Sequence, residues 1–360
     1  MTLKRLFILI ISLFCLWATA FPALADVPEA LDWLRSKQAA DGGFAGDFDQ
    51  ASSVGATVEA ILAIVAAGED PNAWLQEGNT PLTFLQTHVA EVALPGDIAK
   101  LILAVAAAGA NPRDFGEVDL IAALAGQYDP ASGLYGGLDL GNVFAQSLAI
   151  LALRATGQSI PQAAIDWLAS AQLEDGSWSW NGETTPGSGD SNSTAIALQA
   201  LLAAGVSDTS LSNALAYFAD QQNDDSGFTY QKPSSFGTET DANSTAYVIQ
   251  ALLAADADLS AWTKGSRTPL DALAALQKPN GAFQWQAAIE DDNFLATQAM
   301  AALSGQSFVE VAGLPEAGPA VRPEQLPTSG GESVVPSWLL LVGLGLLLAG
   351  WGARRIGRAV

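Results

Sequence analysis

Trp167-Leu-Ala-Ser-Ala-Gln172, then Leu173-Glu-Asp-Gly176-Ser-Trp178-Ser-Trp180, and after a polar run Asp190-Ser-Asn192-Ser-Thr194-Ala-Ile-Ala-Leu-Gln-Ala-Leu-Leu-Ala-Ala-Gly205: from this stretch the fold is read. Ile165, Leu168 and Ala171 recur at helical spacing beside polar Asp166 and Gln172, so the first part predicts a helix with one buried face. The last part is apolar nearly all round, the pattern of a helix buried on every side. Together with the Gly-aromatic turn they form a helical hairpin that cannot close its own core.

The same unit recurs along the chain. One copy begins near Leu211 and passes Gln221-Gln222, Ser226-Gly227-Phe228-Thr-Tyr230 and Asp241-Ala-Asn243-Ser-Thr245. Another runs from Leu270 through Gln277, Asn280-Gly281-Ala-Phe283-Gln-Trp285 and Asp291-Asp292-Asn293 to Leu303. A first copy holds Trp33, Gln38, Asp41-Gly42-Gly-Phe44 and residues 57–68. Two degenerate copies lie between: residues 81–109, where Leu94-Pro-Gly96 replaces the aromatic turn, and residues 120–157, with Ser132-Gly133-Leu-Tyr135. Six hairpins at a period of roughly 40 to 50 residues are a helical-repeat array. The expected fold is all-α: six hairpins closing into an (α/α)6 toroid over residues 26–312, although an open solenoid has the same local pattern. No apolar-polar alternation suggests a sheet, and 49% hydrophobic residues in a chain of 360 suffice for one large core.

Both ends are expected to be addresses. Lys4-Arg5, an apolar run over residues 6–17 and Ala23-Leu-Ala25 predict a signal peptide over residues 1–25; a retained N-terminal anchor is the alternative. Residues 313–333 form a Pro- and Glu-rich spacer, residues 334–353 an apolar stretch long enough for a transmembrane helix, and Arg354, Arg355 and Arg358 a basic tail. The arginines predict a cytoplasmic C-terminus, with the toroid held at the outer face of the membrane or cell wall.

Charge agrees with an exterior location. Of 15 Lys and Arg, two lie in the expected signal and three in the basic tail, against 38 Asp and Glu, for a net charge of −23. Such an excess excludes nucleic-acid binding. Cys15, the one cysteine, falls in the expected signal, so no disulfide, thiolate nucleophile or Cys-ligated metal is expected; no metal and no cofactor is predicted.

The repeated Trp-Leu, Gln172 and Asp175-Gly-Ser-Trp178 resemble the Gln-Trp repeat of squalene cyclases, and the region from Asp26 to Leu314 is similar to the α/α-toroid superfamily of terpenoid cyclases, prenyltransferase β subunits and cobalamin carriers. In class II cyclases the resemblance implies an Asp-x-Asp-Asp-Thr-Ala motif whose middle acid protonates the substrate. Here the matching slots read Asp190-Ser-Asn192-Ser-Thr194 and Asp241-Ala-Asn243-Ser-Thr245, with an amide at the donor position. An amide delivers no proton near neutral pH. Asp291 and Asp292 keep carboxylates and are the weak catalytic candidates, whereas Asp47-Phe-Asp49 is half a motif. The zinc of prenyltransferases needs Asp, Cys and His, and His88 is the sole histidine. Ala296 to Val311 resembles the end of the helical domain in cobalamin carriers, which makes cobalamin a conceivable ligand, yet nothing beyond it supplies their second domain. Leu326-Pro327-Thr-Ser329-Gly330 resembles a sortase signal, with Ser329 in place of threonine; a plain stalk on a permanent membrane helix is the alternative.

The Asp-x-Asn-Ser-Thr segments have a structural reading, with their oxygens capping inner helices. They also have a functional one, in which Asp190, Asn192, Asp241, Asn243 and Asp291 converge at one mouth of a closed ring to bind a ligand. Trp178, Phe228, Phe283, Phe44 and Tyr135 are expected in the core. Trp180, Tyr230 and Trp285, two residues beyond the first aromatics of their turns, either pack or line the mouth. The leading expectation is a surface-anchored, non-catalytic toroid binding an apolar or polycyclic small molecule or another surface protein; the alternatives are a terpenoid cyclase or lyase and a structural or adhesion module.

Overall fold

The computed structural model describes residues 26–47, 49–207, 209–234, 237–289, 291–294 and 298–311. The expected signal peptide with Cys15, the expected spacer, Leu326-Pro327-Thr-Ser329-Gly330, the apolar stretch of residues 334–353 and the basic residues after it lie outside them. Among the described residues no helix is long and apolar enough to cross a membrane.

Twelve helices alternate between an outer and an inner layer: α1 (Val27–Lys37), α2 (Val54–Ala66), α3 (Pro81–His88), α4 (Pro95–Ala107), α5 (Leu120–Ala125), α6 (Val143–Ala155), α7 (Gln162–Ser170), α8 (Ser191–Ala203), α9 (Thr209–Gln221), α10 (Ala242–Ala254), α11 (Pro269–Ala274) and α12 (Gln298–Leu303). The even-numbered helices pack in order, α2 on α4, α4 on α6, α6 on α8, α8 on α10 and α10 on α12, and α12 returns to α2. That last contact closes the ring. Each odd-numbered helix packs outside the inner helix before it, and α1 packs on α12, so the first repeat covers the last. The hydrophobic pattern dictates this layering. Ile196, Ala197, Leu198, Ala200 and Leu201 of α8 are all fully buried, whereas outer α7 buries Ala164, Ile165 and Leu168 on a single face.

The conserved spacing of glutamine and glycine in the hairpins fastens neighbouring repeats. Gln172 donates from Nε2 to Gly176 O of its own turn and to Ser210 O of the next repeat, at 2.9 and 2.8 Å. Gln38 and Gln222 do the same to Trp74 O and Trp262 O. Gln277 reaches Asp26 O at 2.8 Å and accepts from Asp26 N at 2.7 Å, which carries the staple across the seam between last and first repeats. Gly281, at φ +86°, lets this turn approach α1 so closely that a Cβ there would lie 2.0 Å from Glu29 O.

One small sheet departs from the all-helical expectation: Tyr128–Asp129 pairs antiparallel with Leu134–Tyr135 inside the turn of the third repeat. At the far end of the ring the chain doubles back after α12, and the short helix Phe308–Val311 packs against α2, α8 and α10. Phe308 N donates to Gln199 Oε1 at 2.9 Å. Buried Phe308 and Val311 therefore plug the lumen at the C-terminal ends of the inner helices.

Candidate functional site

The inner helices α2, α4, α6, α8 and α10 are each thirteen residues long and in register. Positions two, six and nine of such a helix share a face. The second positions hold Gly55, Gly96, Phe144, Asn192 and Asn243; the sixth Glu59, Lys100, Leu148, Ile196 and Tyr247; the ninth Leu62, Leu103, Leu151, Gln199 and Gln250. The lumen is thus built in three tiers, from the mouth at the helix starts to the plug.

At the mouth the Gly-aromatic turns separate their two aromatics. Trp178, Phe228 and Phe44 are fully buried, and Phe283 and Tyr135 nearly so. Trp178 N, Phe228 N and Phe44 N donate to Thr194, Thr245 and Thr57 Oγ1, each at 3.0 Å. The backbone then swings to the start of the preceding inner helix. Trp180 O accepts from Val143 N, Tyr230 O from Ser191 N and Trp285 O from Ala242 N. Each second aromatic consequently stands over a neighbour's helix N-terminus, with 49%, 41% and 40% of its surface exposed for Trp180, Tyr230 and Trp285.

The Asp-x-Asn-Ser-Thr segments divide their labour differently from the all-oxygen cap expected from sequence. Asp190 and Asp241 are the N-caps, accepting from Ser193 N and Ser244 N at 2.7 Å. The threonines hold the aromatic turns instead. Both carboxyls are buried, and burial pushes each up to about 6 against the lowering effect of those N–H donors. They are committed to packing and are not open to the mouth. Asn192 and Asn243 sit half-buried on the first tier, and Asn192 Oδ1 has no hydrogen-bond partner among the described residues.

Asp292 lies at the ring's seam. It accepts from Lys278 Nζ at 2.7 Å and Trp33 Nε1 at 3.0 Å. Burial opposes its ionisation, but hydrogen bonds from Lys278, Trp33 and Asn280 outweigh it and hold the carboxyl at about 2. A group so acidic is a structural anion near neutral pH. Asp291 is exposed beside it.

The open space of the lumen lies elsewhere, in the degenerate repeats. A cavity of about 630 Å³ opens between the start of α4 and that of α6. Its apolar wall includes Leu94, Leu138, Leu140, Phe144, Leu148 and Trp180; Asp97, Asp139, Asn142 and Asn181 supply polar groups, and Lys100 lies on the second tier. Leu138 is 84% exposed. Of the eight residues expected to bind a ligand, Trp180 alone lines this cavity. Lys100 ion-pairs with Glu59 of the adjacent inner helix α2. Burial lowers the lysine's proton affinity, yet the Glu59 carboxylate and the further charges around it overcome that and hold it firmly protonated. Tyr247 stands in the same tier, pushed up to about 12 by burial, and packs edge-on against Phe144. Asp97 is raised by desolvation, with Lys100 pulling partly back.

Motif reading passed over Glu59, Asp97 and Lys100 because they belong to no repeat signature. A signal was nonetheless present: they are ionisable residues within α2 and α4, helices otherwise apolar on nearly every side. No group of three or more His, Cys, Asp or Glu among the described residues is arranged to hold a metal ion.

The prenyltransferase alpha-alpha toroid domain profile matches residues 5–88, 111–235 and 196–307. No curated protein matches the chain in sequence. Among solved structures, an apo type II terpene cyclase from Scytonema is similar at 16% identity and a TM-score of 0.52, over 80% of this chain and 98% of that one. A protein from Actinoplanes aligns at 18% identity and 0.53, over 80% and 98%. An inactive α-1,6-mannanase variant of Salegentibacter sp. HEL1_6, in complex with α-1,6-mannotriose, aligns at 12% identity and 0.53, over 79% and 100%. A cyclase and a mannanase share this ring, so the fold alone does not fix chemistry.

Proposed function

Since the chain belongs to the prenyltransferase α/α-toroid family, we propose that it is a non-catalytic binding protein, taking an apolar small molecule into the cleft between α4 and α6. The observation that carries this is the cleft itself. It is a cavity of about 630 Å³ with exposed leucines and Trp180 at its rim and few polar groups, within the size range of small-molecule sites. Absence of catalysis is supported by the amides Asn192 and Asn243 in the proton-donor slots, by the burial of Asp190 and Asp241 as caps, and by the low pKa of Asp292. The signal-like start, the spacer and the apolar stretch near the C-terminus support display outside the cell on a membrane helix. Mass spectrometry of the surface form tests the anchor: peptides beyond Gly330 would exclude sortase-type cleavage.

A cyclase remains the second reading, favoured by Asp97, an acid with raised pKa on the cleft wall. The two separate in one experiment. Full-length chain is incubated with squalene, geranylgeranyl diphosphate and cobalamin, and bound and converted material are quantified. Retention of an intact apolar compound, lost on Leu148→Arg, is expected; a cyclised product abolished by Asp97→Asn or Asp292→Asn would replace binding by catalysis. Silence across the whole panel would favour a display or adhesion module.

A further inference from the structure

We infer that the cleft selects an amphiphile whose polar end is uncharged, a hydroxyl or carbonyl directed at Lys100, and that Glu59 sets this selectivity. The inference rests on the proposed binding role and specifies its ligand class. Among the described residues Lys100 is the single cationic one lining the cleft, and it lies on the second tier, below the rim leucines. Its charge is already matched. Glu59, on the neighbouring helix α2, pairs with it, and the side chains of Lys100 and Glu59 are 18% and 13% exposed. Glu59 in turn faces the plug, lining a small internal gap with Leu62, Gln250, Phe308 and Val311.

An anionic head entering the cleft would compete with Glu59 for Lys100 and separate an ion pair whose side chains are largely shielded from solvent. It would also pass Asp97 and Asp139 at the rim, with no second cation among the described residues lining the cleft to offset them. A cationic head is disfavoured at depth by Lys100 itself. A neutral acceptor meets neither obstacle. An ammonium carries three N–H donors, so Lys100 can keep Glu59 and still donate to a hydroxyl or carbonyl oxygen. The apolar body would then lie along Phe144, Leu148 and Trp180 and emerge at Leu138 and Leu140.

A matched series tests this: geranylgeraniol, geranylgeranoic acid, geranylgeranyl diphosphate and geranylgeranylamine, radiolabelled, on full-length chain in lipid nanodiscs with empty nanodiscs as reference. The alcohol should bind at least about tenfold tighter than the acid, the diphosphate or the amine. Glu59→Gln, which frees the lysine's charge, should raise affinity for the acid by about tenfold while leaving the alcohol within about twofold. If that variant does not fold, Asp97→Asn with Asp139→Asn at the exposed rim should narrow the alcohol-to-acid ratio by about threefold. Acid, diphosphate or amine binding as tightly as the alcohol to the unmodified chain would overturn the inference and leave the binding role standing. No retention of any probe would overturn both.

Discussion

The fourth and fifth repeats keep every element of the signature; the second and third have lost most of it, and the cavity is in the second and third. In α8 and α10 the caps Asp190 and Asp241, the threonines and the turn aromatics are spent on one another and on the adjoining hairpin. Leu94 at the head of α4 offers no side-chain cap, and the turn before it lacks the Gly-aromatic sequence. The result is a gap that exposes Leu94, Leu138 and Leu140 and uncovers Lys100. A repeat signature encodes contact between neighbours, so regularity marks the frame and irregularity marks room for a ligand.

Glycines give the sharpest way to break that contrast. Gly281→Ala, with backbone 2.0 Å from its Cβ and φ +86°, should destabilise the ring by about 3 kcal/mol or more in denaturant titrations. Gly96→Ala in the degenerate α4, whose Cβ would first meet the Ala145 side chain at 3.3 Å, should shift stability by less than about 1 kcal/mol. Equal costs at the two positions would erase the distinction between frame and cleft.

Protonation offers the next largest effect. Asp190 and Asp241 have folded pKa values near 6, above the ordinary 3.8. A carboxyl raised on folding favours the folded state while protonated, so this contribution is full below about pH 4 and is lost as pH rises through about 6. At roughly 1.4 kcal/mol per pKa unit, each contributes on the order of 2 to 3 kcal/mol of pH-dependent stability. Asn at both positions keeps the cap and removes that slope. Unfolding midpoints followed from pH 4 to 7 should flatten in the double variant; an unchanged slope would show that other groups govern it.

Smallest is the staple. Gln172→Ala removes two amide hydrogen bonds, one to its own turn and one to the next repeat, and should cost about 2 kcal/mol. Gln127→Ala in the third repeat removes one long, exposed contact to Ala93 O at 3.5 Å and should cost less than about 0.5 kcal/mol. Paired denaturation curves of the two variants would sharpen the ranking, and a larger loss at Gln127 would reverse it.

Local signals made the hairpins legible. Trp178 and Phe228, each two residues after a positive-φ turn position, Gly176 and Ser226, enter the core because an aromatic of that volume has few other places to go in a packed array. The candidate site was less legible for a related reason. Asp190 and Asn192 lie two residues apart, but one turns back to cap and the other faces the lumen, a difference in direction that spacing alone does not convey. Asp291 and Asp292 looked alike in sequence, yet Asp292 is claimed by Lys278 nearby and by Trp33, which stands 259 residues away along the chain.

The sequence by itself determined the helical hairpins, their layers, which aromatics pack inside and the excess of acid, because periodicity and composition are local properties of the chain. Only the tertiary structure decided that the ring closes, through Gln277 and Gly281 against the first helix, that Phe308 stops the lumen at one end, and that Glu59 and Lys100 meet between adjacent inner helices. Those contacts join segments distant along the chain, and their geometry is fixed by the summed rotation of every repeat between them rather than by any one stretch of residues.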